Sequence, residues 1–221
     1  LYFMKESHDL SLDKIFAQTE RTIESIFATT KETLKHEAKA LSETEWLNNF
    51  TTTSNYKKLQ KILDTLSFDF IDVIDSDGQL ITRITNNKFQ NLKAIKKRSK
   101  TYNSIIKDKK TTDGISTFMP LGHNLTLVAA ATIKNKVQKN GLILVGKVLD
   151  NDFAKEMRGL TGTDISFSFF HDKKVLSTSL AAKTANKLEL ELINNRLTFD
   201  NKVEIDNSLF FAFHILDEYL N

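Results

Sequence analysis

A chain of 221 residues with 40% hydrophobic and 27% charged side chains can build one large core or two small ones, which excludes fibrous, low-complexity and wholly disordered readings. With 31 Lys and Arg against 28 Asp and Glu the net charge is +3, too small for charge alone to imply a nucleic-acid partner. No Cys is present, so disulfide frames, thiol nucleophiles and cysteine-based zinc sites are excluded.

Nowhere does the sequence approach the roughly 18 consecutive apolar residues that cross a bilayer. Its longest clean stretch, Gly141 to Leu149, is broken by Lys147. The opening Leu1-Tyr2-Phe3 looks like the remnant of a protease site. Residues 1–8 are therefore expected to be a flexible start, and the chain a piece of a longer protein, so the lack of an apolar run says nothing of membrane spans beyond it.

From Leu12 apolar positions recur every three or four residues through Phe16, Thr19, Ile23, Ile26 or Phe27, Thr30, Leu34, Ala38 and Leu41. That spacing predicts one long amphipathic helix within residues 9–52, capped by Ser11, with Lys14, Glu20, Arg21, Glu24, Lys31, Glu32 and Lys35 on its polar face. The Thr residues in the stripe depart from zipper composition, so the helix is expected to serve partly as a homodimer seam and partly as support for a domain.

Tyr56, Leu59, Ile62, Leu63 and Leu66 keep helical spacing, after which the period changes. Residues 68–74 and 80–85 read as strands around a Ser76-Asp77-Gly78-Gln79 turn, 91–107 as a helix, and 115–119, 125–134 and 142–148 as three more strands. A five-stranded antiparallel sheet with helices on one face accounts for residues 53–149. Over residues 150–221 the order restarts on a smaller scale: a helix to Leu160, then hairpins over 164–180 and 196–216. The fold class is α+β, a long N-terminal helix followed by two antiparallel-sheet units, the larger first.

Three stretches carry a family likeness. They are Phe70 to Arg83, with its Asp75-Ser76-Asp77-Gly78 turn; Leu125 to Leu149, followed by Asp150-Asn151-Asp152-Phe153; and Leu160 to Ser166 with Val175 to Leu180. In this order they resemble the double Cache modules, PAS-like extracytoplasmic sensors of bacterial receptors. The resemblance implies a larger membrane-distal unit, a smaller membrane-proximal unit and flanking spans in an inner-membrane protein. The spaced Tyr, Arg, Trp, Tyr and Asp signature of the amino-acid-binding branch is not found, since Trp46 precedes the sheet, and an amino-acid ligand is unsupported.

Such folds hold small molecules between the sheet and its covering helices, in mostly apolar sites with few orienting polar groups. Arg83 is the leading ligand-binding candidate, because an inward Arg needs an anionic or carbonyl partner; the alternative is an edge residue pointing outward. Tyr102 and Arg98 on the helix, with Thr117 and Phe118 on the third strand, follow as neighbours by expected topology. Asp75-x-Asp77-Gly78 lacks the remaining ligands of a calcium loop and reads as a turn. His8, His36, His123, His171 and His214 lack metal-like spacing, so no metal is expected. Nine basic residues between Lys88 and Lys110 face one acid, Asp108, but without aromatic interleaving they read as a solvated helix face and not a nucleic-acid site. Asp69 and Asp72 read as turn and edge residues.

No catalytic loop, elbow or metal-binding helix motif appears, so the piece is expected to be non-catalytic and without a cofactor. The reading is a periplasmic ligand-sensing domain of a transmembrane receptor, a histidine kinase, chemoreceptor or cyclic-dinucleotide enzyme. Its small-molecule ligand is unidentified, and a homodimer forms through the N-terminal helix. The rivals are a sensor that reads a periplasmic protein partner and an intracellular PAS-like adaptor.

Overall fold

A computed structural model describes residues 2–49, 53–75, 77–90, 92, 105, 114–121, 124–133, 141–161, 166–171, 173–197, 202–205 and 208–211. The fold divides into two compact units. One is built on Thr30–Leu149, the other on the chain up to Thr29 together with the segment that begins at Asp150.

Helix α1 spans Tyr2–Ser42. It starts earlier than the sequence predicts, and Ser11 lies within it instead of capping it, because no Gly or Pro occurs between Tyr2 and Ser42 to stop propagation. Thr19, Ile23, Phe27, Leu34, Ala38 and Leu41 are buried within the chain. Thr19 tolerates burial because its Oγ1 donates to the Ile15 carbonyl at 2.8 Å. From Thr19 onward the apolar stripe is therefore consumed by intrachain packing and is not a free seam. The helix ends with Ser42 Oγ donating to Lys39 O at 2.7 Å and Thr44 Oγ1 to Leu41 O at 2.7 Å. A 3₁₀ segment, Glu45–Asn49, follows, then α2, Thr53–Leu63, which buries Leu59 and Leu63.

In the unit built on Thr30–Leu149, five strands form one antiparallel sheet: β1 (Phe70–Ile74), β2 (Leu80–Thr85), β3 (Ile115–Leu121), β4 (Asn124–Ile133) and β5 (Gly141–Val148). Their order is β2-β1-β5-β4-β3. The β1–β2 turn is the one expected: Gly78 has φ +74, and Asp75 Oδ1 accepts the N–H groups of Asp77 and Gln79 at 2.9 and 2.7 Å. All five residues of β1 are buried, so both sheet faces are covered and not one as expected. One face carries the cluster of Phe70, Ile74, Ile115, Met119, Val128 and Leu144, which takes in Ile105 from the segment between β2 and β3. On the other, Lys31 of α1 lies over the Phe118 ring, 4.7 Å from its centroid. The expected helix over 91–107 lies outside the described residues apart from Leu92 and Ile105.

Leu149 and Asp150 connect β5 to α3, Asn151–Leu160. Asp150 caps this helix by accepting the Phe153 N–H at 2.9 Å. The second unit continues with the hairpin β6 (Ser168–His171) and β7 (Lys174–Thr178), helix α4 (Ala182–Ile193), and the hairpin β8 (Lys202–Ile205) and β9 (Ser208–Phe211). Leu188, Leu192, Leu197 and Ile205 form its core, and Asn195, at φ +55, ends α4. Sequence reading leaves α4 unassigned.

Candidate functional site

Side chains alternate across a strand, so the register fixes which residues share a sheet face. Asp72 pairs with Arg83 on β2 and with Leu144 on β5; Leu144 pairs with Ala130 on β4, and Ala130 with Ile115 on β3. The neighbouring row runs Thr85, Phe70, Gly146, Val128 and Thr117. Both rows lie on the face that holds the Ile105 cluster.

Among the described residues, one charged pair sits within this apolar face. Arg83 Nε donates to Asp72 Oδ1 at 2.6 Å and Nη2 to Oδ2 at 2.5 Å, a two-pronged ion pair in which both side chains are nearly buried, 7% and 1% exposed. The guanidinium also stacks over Phe70, its Cζ 5.1 Å from the ring centroid. Burial pushes the Asp72 carboxyl up from its ordinary range, against the pull of the Arg83 hydrogen bonds and charge. Beside the pair, Asp69 ties three strands together. Its Oδ2 accepts the Val148 N–H at 2.7 Å, and its Oδ1 accepts Asn86 Nδ2 at 2.8 Å. Asn86 Oδ1 is buried without a hydrogen-bond partner among the described residues.

Arg83 thus points inward although β2 is an edge strand, and the partner it meets there is Asp72. Asp72 is the residue that sequence reasoning misses: it lies on an interior strand and is fully buried, and is not an edge residue. A signal for it exists, since Asp72 and Arg83 stand symmetrically about the Asp77-Gly78 turn and must face each other in a hairpin. Asp69 likewise lies half-buried in the sheet's hydrogen-bond frame and not in a turn.

Thr117 shares the face with Arg83 but on the opposite edge, four strand spacings or about 19 Å away. Its Oγ1 lies 3.2 Å from the Phe118 carbonyl, to which it donates. Phe118, one residue on, belongs to the other face, under Lys31. Alternation along β3 forbids the two from lining one pocket together. Arg98 and Tyr102 lie outside the described residues, as does most of the basic run; Lys88 within it is exposed.

Electrostatically the pair is closed: a bidentate carboxylate and guanidinium leave no net charge, and neither can be vacated cheaply in an apolar setting. Burial of Asp72 favours a protonated carboxyl, and the Arg83 hydrogen bonds and charge oppose it.

Residues 48–168 match the family model described as the CHASE4 domain, which covers more than half of the chain. The chain belongs to the CHASE4 family, a class of non-catalytic extracellular sensor domains. Solved structures agree in fold. The sensor domain of the V. cholerae histidine kinase DctB is similar at a TM-score of 0.53 and 16% identity, over 79% of this chain and 69% of that one. The sensory domain of the Campylobacter jejuni chemoreceptor Tlp3 with isoleucine bound gives 0.51 and 10%, over 94% and 87%. The Tlp3 ligand-binding domain in complex with L-norvaline gives 0.54 and 12%, over 92% and 84%. At these identities the likeness is one of fold, and that fold is the Cache sensor fold which the sequence resembles. No curated protein matches the chain. No helix among the described residues is long and apolar enough to cross a membrane.

Proposed function

We propose that the chain is the periplasmic ligand-sensing domain of a bacterial inner-membrane receptor, whose output is a histidine kinase, chemoreceptor or cyclic-dinucleotide enzyme. A small molecule acts on the sheet face that holds Asp72 and Arg83, in the unit built on Thr30–Leu149. The observation that carries this reading is a buried, self-neutralised ion pair set into an apolar sheet face of a sensor-family domain. A ligand that competes for Arg83 shifts the population between a paired and an opened state. Helix α1 contributes residues to both units and β5 runs directly into α3, so the chain has two covalent routes for that shift. Arg98 and Tyr102, in the segment between β2 and β3, are retained as second-rank ligand contacts. Any homodimer through α1 uses its outer face, because the stripe from Thr19 to Leu41 is buried within the chain.

Thermal-shift screening of small carboxylates, amines, amino acids and nucleotides tests the site. Ligand at a hundred times its Kd stabilises the folded state by about 2.7 kcal/mol, an easily read shift. The informative comparison is the double variant Asp72→Leu/Arg83→Met, which removes both charges, because Arg83→Ala alone leaves a buried carboxylate unpaired. A hit whose shift disappears in the folded double variant supports the reading. One whose shift survives unchanged removes the ion pair from the site.

A further inference from the structure

Asp72 breaks the pattern of its own strand. Every other residue of β1 is apolar and all five are buried, so an aliphatic side chain would fill the position without a charge. Replacing a buried ion pair by apolar residues of similar volume is often neutral or stabilising, so stability alone does not account for the pair. Its two members are placed unequally: Arg83 stands on the edge strand and is 7% exposed, while Asp72 lies one strand further in and is 1% exposed. The Asp72 side chain is a methylene and a carboxylate, an acetate tethered to the chain, and both of its oxygens accept from the guanidinium, through Nε and Nη2. Its other surroundings are apolar. On that face β5 sets Leu142 and Leu144, and Ile105 joins the cluster with Phe89 and Leu92 packed against it. Of the nearby charged groups among the described residues, Lys88 is exposed over the Phe89 ring, and Asp69 is turned to Asn86 and Val148. Arg83 is the charge that bears on Asp72.

We propose that Asp72 is an internal pseudo-ligand, whose carboxylate occupies Arg83 until a carboxylate from solution displaces it, and that the displacing anion binds together with one proton. Given that a small molecule acts on this face, the reading on which this depends, the charges decide what must accompany it. The closed pair sums to zero. An anion that takes Arg83 restores neutrality there but leaves Asp72 unpaired among aliphatic side chains, where a lone carboxylate neutralises by protonation. The proton comes from the medium and ends on Asp72, and no bond between heavy atoms is made or broken. Burial already holds this carboxyl above its ordinary range while Arg83 pulls it down, and displacement removes the pull. Uptake of a proton makes the complex tighter in acid. Between the pKa of Asp72 in the closed pair and its higher value in the complex, Kd rises about tenfold for each unit of pH.

The probe is sodium acetate, the free counterpart of the Asp72 side chain, titrated into the 221-residue chain against matched sodium chloride. Calorimetry in two buffers of different ionisation enthalpy, from about pH 5.5 to 7.5 and so above the ordinary carboxylate range, counts the protons taken up. Uptake approaching one proton per acetate is expected, with Kd rising with pH. Asp72→Asn keeps the shape and cannot ionise, so acetate meets a guanidinium without its internal competitor. Its Kd at about pH 7.5 is expected to be about tenfold lower or more, and to lose its pH dependence. Because this variant strands Arg83, its melting temperature is expected to fall and to recover in acetate but not in chloride. Acetate binding that Asp72→Leu/Arg83→Met abolishes but that takes up no proton overturns the pseudo-ligand and leaves the sensing face standing. Absence of any acetate effect on both wild type and Asp72→Asn also overturns it, and leaves that face to the other ligand classes. Acetate binding that persists in Asp72→Leu/Arg83→Met lies elsewhere, and overturns the underlying reading with it.

Discussion

The ring of Phe70 occupies the space that a side chain on Gly146 needs. The two are directly paired across β1 and β5, and a Cβ added to Gly146 would overlap the Phe70 ring at Cζ and Cε1. Phe70 is fully buried and has Arg83 stacked on it, so the ring cannot yield without disturbing the ion pair. Gly146→Ala is therefore expected to destabilise by about 1–3 kcal/mol through overpacking. Gly159 gives the opposite case: it lies inside α3, and a methyl group added there would meet nothing within 4 Å. Gly159→Ala is expected to stabilise by about 0.5–1 kcal/mol. Urea midpoints of the two variants, moving in opposite directions, check both statements.

Breaking the Asp72–Arg83 pair from one side is costly. Arg83→Ala or Asp72→Asn strands the other group in an apolar setting, at about 3–5 kcal/mol each. Asp72→Leu/Arg83→Met strands neither and is expected to cost far less than the sum of the two single losses. The sign of the pH effect is also fixed. In Arg83→Ala the Asp72 carboxyl, already pushed up by burial, loses the interactions that lowered it. A carboxyl raised in the folded state contributes stability below its unfolded pKa, near about 3.9, and loses it as pH rises through the folded value. Arg83→Ala thus recovers part of its deficit on acidification, whereas the double variant does not. Denaturation of all three variants across pH closes the cycle.

Local signals make much of this architecture legible. The Asp75-Ser76-Asp77-Gly78 turn between β-branched runs places the β1–β2 hairpin, and β2 falls on the predicted residues. Asp150 ahead of an apolar-periodic run locates α3. Helix α4 escapes a sequence reading because Leu188-Glu189-Leu190-Glu191-Leu192 alternates like a strand, and the period-four pair Leu188 and Leu192 shows only once Leu190 is known to be exposed. Asp72 misleads for a related reason. Alternation in Phe-Asp-Phe-Ile-Asp-Val-Ile implies a solvated side only for a half-covered strand, and β1 is covered on both faces. Sequence proximity groups Thr117 with Phe118, and a period of two necessarily splits them.

Glu37 offers a second titration with a defined sign. It lies on α1 between the buried Leu34 and Ala38, and its Oε2 is buried without a hydrogen-bond partner among the described residues. Burial pushes its carboxyl above the ordinary value, so ionisation is disfavoured in the folded state. Its stability contribution is full below the unfolded pKa, near about 4.3, and fades as pH rises through the folded value. Glu37→Gln keeps the shape and removes the charge. It is expected to melt higher than wild type at neutral pH, with the difference vanishing in acid. The melting difference between the two proteins across pH measures this directly.

In the unit that begins again at Asp150, three rings from distant parts of the chain meet. Phe27 of α1, Phe153 of α3 and Phe169 of β6 have centroids 5.9 to 6.0 Å apart in every pairing, with Phe27 and Phe169 edge to face. All three are buried, and they fasten α1 to elements more than a hundred residues away. Phe27→Ala and Phe153→Ala are each expected to cost about 3–5 kcal/mol, the range for emptying a buried aromatic site. Ring pairs add about 0.5–1.5 kcal/mol beyond buried area, so the double variant loses less than the two single losses combined by an amount of that order. Additive losses in a chemical-denaturation cycle contradict a direct coupling between the two rings. Far-ultraviolet circular dichroism separates this loss from collapse of α1 itself: the helix is held elsewhere by Ile23 and by Leu34, Ala38 and Leu41, so its signal persists in Phe27→Ala below the unfolding transition.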